Sequence, residues 1–272
     1  MSDTSKIAYA AQSLWPQELA EDWDAPGFAL HIPSEVKRVL LTVDVTGAVV
    51  AEASEKSCQM VVSHHPFLMK GADNINFDDL KGSVLQQSVR WGISLFAAHT
   101  NADIVDRGVS ATLASALGLH GQVPLVSGTD TNVGHGRIGY LETPITLEQL
   151  ASRLAELLPF SARGVLVAGY PESLVSTVSL CGGAGDSFLE AAFTSGADVY
   201  ITSDLRHHPA LDAVSRPRST PFACIDISHW AAESLWLRVA AEQLGELVPN
   251  VEFVISEVTT DPWVFSINRG EQ

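Results

Sequence analysis

What most constrains this chain is an alternation: short apolar runs rich in β-branched residues keep giving way to stretches with helical periodicity. Such a rhythm argues for an α/β architecture. Residues 39–45 read as a first strand buried on both faces, and Thr46 is placed to cap a helix reaching about Lys56. Residues 59–63 and 93–98 read as further strands, and 109–117 as a helix that stops at Gly118, a favoured left-handed C′ residue. The Gly-, Thr-, Ser- and Asn-rich stretch 120–136 reads as a loop near a seam between two halves, approximately 1–130 and 131–272. Thr146 and Gln149 form a capping-box pattern ahead of Leu147, Leu150, Leu154, Leu157 and Leu158, which share one helical face. The second half predicts strands at 165–168, 175–181, 198–202, 222–226, 252–256 and 264–267, with helices near 187–194 and 231–244. A strand leading to His-His-Pro occurs twice, at 61–66 and 199–209, each near a Gly-Ala-Asp triplet, which hints at duplication.

With 272 residues, 46% of them hydrophobic, the chain can bury a substantial core. Sixteen basic against thirty-two acidic residues leave a formal charge of −16, which disfavours nucleic acid as a partner. Cys58, Cys181 and Cys224 are widely spaced and odd in number, as expected of reduced, buried thiols in a cytoplasmic protein. Residues 1–19 lack a basic start followed by an apolar block, so no signal peptide is expected there. No run approaches the roughly 18 apolar residues of a membrane helix, and no membrane partner is expected.

The chemistry concentrates in three clusters. His64 and His65 end a buried strand, and adjacent side chains there diverge, so one pair of imidazoles can address two metal ions. Two histidines in a surface turn would read the same way. His99 and Asp103 follow another apolar strand, where His99 can ligate a metal or orient Asp103. His229 and Glu233 are four apart at a helix start, on one face, which suits metal ligation but also an ordinary polar pair. All three clusters fall at strand ends, where ligands gather in open α/β sheets. Imidazoles and carboxylates without thiolate suit a borderline ion such as Zn²⁺, Mn²⁺ or Fe²⁺. Five such ligands are too many for one open catalytic ion and about right for two. The glycine-rich Cys181-Gly-Gly-Ala-Gly185 lacks the Gly-Lys-Ser/Thr ending of a phosphate loop and reads better as a tight turn.

Several motifs in order carry a family resemblance. They are Asp22-Trp-Asp-Ala-Pro-Gly27, Leu41-Thr-Val-Asp-Val-Thr46, Val61-Val-Ser-His-His-Pro66 and His99-Thr-Asn-Ala-Asp103 with Gly108-Val109. Gly136-Arg-Ile-Gly139, Cys181–Gly185, Gly196-Ala-Asp-Val-Tyr-Ile-Thr202 and His229-x-x-x-Glu233 follow. Through these the chain resembles the Nif-three-like dinuclear metal-centre family, whose members are often labelled GTP cyclohydrolase 1 type 2 homologues. The resemblance implies a single Nif-three-like unit over 1–272, with two similar α/β halves of mixed sheets packed together. The short spacing from Gly139 to Cys181 implies the compact form without the inserted domain. By resemblance His64, His65, Asp103, His229 and Glu233 hold two divalent ions, with Glu233 bridging, Asp103 on one ion and His229 on the other. His208 falls where the family places a site-lining histidine, and the resemblance implies that Asp44 and His99 stand behind the ligands and orient them. Ser203-Asp204 stands where the family pattern has Gly-Glu, which keeps a carboxylate with a different reach. The resemblance also implies a ring-like homohexamer with metal sites facing an internal cavity.

Two functions are compatible with this set. One is a metal-dependent hydrolase acting on a nucleotide or related small molecule, with His208 or His99 shuttling protons and Arg107, Arg137, Lys70 or Arg206 holding phosphate. The other is a non-enzymatic protein that stores, delivers or senses a divalent ion, because binding and hydrolysis share the same ligands.

Overall fold

A computed structural model describes residues 2–128 and 132–267. The chain forms two compact units that are not successive halves. The first comprises residues 1–102 and 237–260, the second 103–236 and 261–272. The expected division near residue 130 fails to anticipate this because Glu252–Ile255 returns to pair in parallel with Arg38–Thr42, an association no local pattern announces.

The first unit is built on a five-stranded mixed sheet in the order Glu252–Ile255, Arg38–Thr42, Met60–Ser63, Ser94–Ala97 and Gly27–Leu30. The first four strands run parallel, and Gly27–Leu30 closes the edge antiparallel. Val39, Leu40 and Leu41 are all buried, as a strand covered on both faces requires. Thr46 caps Gly47–Glu55, its hydroxyl accepting from the Val49 N–H. That helix and Leu80–Trp91 cover one face, where Leu40, Val61 and Leu95 pack against Val49, Val50, Val84 and Leu85.

The second unit holds a six-stranded mixed sheet ordered Leu166–Ala168, Ala223–Asp226, Val199–Ser203, Leu174–Ala184, Arg137–Thr146 and His120–Val123. Its middle three, Ala223–Asp226, Val199–Ser203 and Leu174–Ala184, are parallel. Side chains alternate as the period of two demands: Val199 and Ile201 join Leu180, Ile225 and the leucines of Leu147–Leu157, while Tyr200 and Cys224 pack oppositely with Leu189 and Phe222. The expected capping box is present, with the Thr146 hydroxyl accepting from Gln149 N–H and the Gln149 side-chain Oε1 accepting from Thr146 N–H.

Three expectations need correction. The stretch 120–136 is not a plain loop: His120–Val123 pairs with Arg137–Thr146, and Val126–Ser127 pairs with Gly134–His135, residues 129–131 lying outside the described residues. An edge strand tolerates the polar composition that suggested a loop. Residues 264–267 form no strand; Val264, Phe265 and Ile267 are exposed, because alternation specifies a face but supplies no partner. The helix expected at 231–244 is two, His229–Ser234 and Trp236–Leu247. Among the described residues no helix is long and apolar enough to cross a membrane.

Candidate metal centre

In the first unit four neighbouring parallel strands deliver their carboxyl ends to one edge, and Asp44, His64, His65 and His99 each follow such an end, while Asp24 precedes the antiparallel edge strand. His64 N–H and His65 N–H extend the ladder to the carbonyls of Thr42 and Val43, which fixes both residues before their side chains do anything. His64 is fully buried and its Nδ1 faces the Ala98 carbonyl at 3.0 Å. His65 Nδ1 meets Asp44 Oδ1 at 2.8 Å, and the other Asp44 oxygen accepts from the Thr260 hydroxyl at 2.6 Å. His99 Nδ1 meets Asp24 Oδ1 at 2.7 Å, while Asp24 Oδ2 accepts from the Thr100 N–H at 3.0 Å. Burial pulls the Asp24 carboxyl up, but the bonds from His99 and Thr100 and the charge of His99 outweigh it and hold it well below the usual carboxylate range. The three rings stand 5.0 to 5.3 Å apart between centroids, and their ligand nitrogens lie within 4.8 Å of one another.

The same principle organises the second unit. Ser228, just past the Ala223–Asp226 strand, caps His229–Ser234 by accepting from the Ala231 N–H and donates to Asp261 at 2.7 Å. One turn separates His229 from Glu233, and His229 Nε2 stands 2.7 Å from Glu233 Oε1. His229 Nδ1 meets Asp204 Oδ2 at 2.7 Å, just beyond the Val199–Ser203 strand. Gly183, at the irregular end of Leu174–Ala184, approaches this pair: a Cβ there would sit 2.6 Å from Glu233 Oε1 and 3.3 Å from His229 Nε2, at φ +85°. The glycine-rich stretch thus ends the strand just before the helical turn Asp186–Phe188, as a strand-to-helix turn does, and Gly183 within it leaves room for Glu233. Burial first, then the charge of Asp103, with that of Glu233 adding to it, pushes the Cys181 thiol up to about 12, so both carboxylates act on the end of that strand.

Within each unit the donors have the chemistry that a divalent ion takes. Nδ1 of His64 faces a carbonyl, and Nδ1 of His65, His99 and His229 each faces a carboxylate. Those acceptors require an N–H at Nδ1, so in the neutral imidazole the lone pair resides on Nε2. A fixed tautomer with an outer acceptor is the arrangement by which proteins aim histidine at a metal. In the second unit Asp103 and Glu233 supply carboxylates.

The remaining candidates are placed differently. His208 lies exposed in the first turn of His207–Ser215, its ring 5.1 Å from that of His207. Arg107 is exposed in the turn before Val109–Ala116. Arg137 is buried, and its two terminal nitrogens donate to the carbonyls of Gly134, Gly136, Ile104 and Val105, which commits it to the chain's own backbone. Arg206 pairs with Asp186. Sequence reasoning did not single out Asp24 or Gly183. Asp24 stood inside the Asp-Trp-Asp motif, but nothing local linked it to a histidine 75 residues away.

Fold and side chains define a mixed α/β protein carrying histidine and carboxylate clusters suited to divalent metal. The sequence profile of Duf34/NIF3 (NGG1p interacting factor 3) matches residues 2–262, and the chain belongs to the NIF3 family. It is 40% identical over 271 residues to the "GTP cyclohydrolase 1 type 2 homolog" of Streptomyces coelicolor, covering 97% of this chain and 94% of that protein. The similarly named Mycobacterium tuberculosis protein is 29% identical, covering 94% of this chain and 95% of that one. Its alignment spans 365 positions, so it carries length that the compact chain lacks. Among solved structures, a Bacillus cereus protein related to NIF3 superposes with a TM-score of 0.88 at 23% identity, covering 97% and 99% of the two chains, a likeness of fold.

Proposed function

We propose that this chain binds two divalent ions through His64, His65, Asp103, His229 and Glu233 and uses them to hydrolyse a small molecule. The observation that carries the reading is the Nδ1 acceptor found at each histidine, which prepares Nε2 for a metal. When bound, such ions supply Lewis acidity and a water acidified toward neutrality. The chain's own contribution is orientation: Asp44 and Asp204 fix the His65 and His229 rings, while Gly183 leaves room for Glu233. His99, held by Asp24, is placed either to complete the ligand set or to carry a proton beside it. The name borne by the relatives supports a nucleotide such as GTP as substrate, and the imidazole and carboxylate donors suit zinc, manganese or iron.

A specific observation favours a second reading, in which the protein stores, delivers or senses metal without catalysis. Of the side chains expected to hold phosphate, Arg137 is committed to backbone carbonyls and Arg206 to Asp186. Incubation of zinc-, manganese- or iron-loaded protein with GTP, followed chromatographically, separates the two. Ring-opened product that disappears in His64→Ala/His65→Ala supports the hydrolase; loaded protein without turnover moves the function to metal handling. The homohexamer implied by the resemblance and the cytoplasmic location expected from the thiols belong to the same proposal, and light scattering tests the former.

A further inference from the structure

Asp204 meets His229 from a backbone that does not hold it there cheaply. Its φ is +56°, left-handed, in a residue with a Cβ. What surrounds it comes from outside the candidate ligand set. Arg163 Nη2 donates to Asp226 Oδ2 at 2.7 Å, and its Nη1 lies 3.5 Å from Asp204 Oδ1. The same Asp226 oxygen accepts from the Leu205 N–H at 2.9 Å, which clamps the residue that follows Asp204. Asp226 is itself buried at the end of its strand, where an unpaired carboxylate would be costly. One guanidinium therefore spans two carboxylates, one locking the turn and the other facing the histidine.

We propose that Arg163, together with Asp226, is a positioning residue: it holds the Asp204 carboxylate against His229 Nδ1 and so keeps Nε2 aimed at Glu233. Neither residue ligates a metal. They act through Asp204, and the chain runs Asp226, Arg163, Asp204, His229, Glu233, all within the second unit. Without that guanidinium, Asp204 keeps its strained backbone but loses its neighbouring cation, and the carboxylate can swing to solvent. The metal consequence rests on the proposed ligand role of His229; the ring consequence does not.

The test uses the full chain with Arg163→Gln/Asp226→Asn, which removes the cation and its buried partner together so that no unpaired carboxylate is left buried at position 226, and Arg163→Lys as the conservative variant. Nitrogen-resolved imidazole spectra of the metal-free protein, with His229 assigned by His229→Gln, report its tautomer and ring order. Cobalt(II) titration reports affinity. The expected result is loss of the single-tautomer His229 signature in the double variant, with cobalt bound about 10–100-fold more weakly by one class of site and Arg163→Lys restoring both in part. Unaltered His229 signals in the double variant would overturn the inference, and so would a fall in melting temperature alone. Should wild-type protein bind no cobalt, the metal reading fails, while the His229 spectra still decide the role of Arg163.

Discussion

His229 Nε2 and Glu233 Oε1 stand 2.7 Å apart across one helical turn, and the Cα of Gly183 faces both. Both ring nitrogens of His229 thus look at carboxylates, Asp204 on one side and Glu233 on the other. With the Nδ1 proton held by Asp204, the Nε2 lone pair faces a carboxylate oxygen, and a divalent ion is the natural way to satisfy that pair.

Gly183→Ala tests the backbone approach. A methyl 2.6 Å from Glu233 Oε1 forces the carboxylate aside, and φ +85° strains any residue with a Cβ. We expect a loss of about 1–3 kcal/mol in thermal unfolding and metal affinity weaker by about tenfold or more by calorimetric titration. Unchanged affinity would remove Gly183 from the site.

Asp44→Asn tests the outer acceptor in the first unit. The variant keeps an oxygen for His65 Nδ1 but loses the charge, while its amide nitrogen can donate to the Thr260 hydroxyl oxygen. Metal affinity should fall by about 10–100-fold with little change in unfolding temperature. A destabilised protein with intact affinity would mark Asp44 as purely structural.

The two units were legible to different depths. Strands around Val39–Leu41 and Val61–Val62 announced themselves as apolar runs ending in polar residues, and the Thr146–Gln149 box announced a helix, because each signal is local. The positions of His64, His65, His229 and Glu233 at strand ends followed from the same local patterns. What local pattern cannot carry is pairing. Glu252–Ile255 beside Arg38–Thr42 joins segments more than 200 residues apart, and Asp24 reaches His99 across 75. Arg137 looked available for phosphate because it lies beside the motifs; only the fold reveals four carbonyls around it.

Glu52 gives a pH dependence remote from the metal clusters. Burial raises its carboxyl, but the Glu257 N–H at 2.8 Å, Lys56 Nζ at 2.8 Å and the Ser256 hydroxyl more than offset this, so it titrates below its ordinary value. A carboxyl depressed in the folded state stabilises fully above its unfolded pKa and ceases to do so as pH falls through the folded value. Glu52→Gln should therefore cost about 1–2 kcal/mol near pH 7, and its deficit relative to wild type should shrink below the ordinary carboxylate range. Denaturant melts at pH 7 and pH 3 check the sign; a deficit that grows with acid would refute it.

The three thiols should be inert. Burial pushes Cys58 up to about 11 and Cys224 to about 12, and Cys181 reaches about 12 by burial and neighbouring carboxylates. At pH 8 a thiol reagent should label native protein slowly and all three cysteines rapidly after denaturation. Fast labelling of Cys181 in the native state would contradict its described environment.

The central claim is that the His64/His65 and the His229/Glu233 groups each bind metal. Elemental analysis of the purified chain and of His64→Ala/His65→Ala and His229→Ala/Glu233→Ala, each reconstituted with zinc, manganese or iron, tests it most directly. The account predicts about two ions per wild-type chain, with a sharp fall in either double variant. Wild-type protein that holds no metal after reconstitution, or variants that hold as much as wild type, would contradict it.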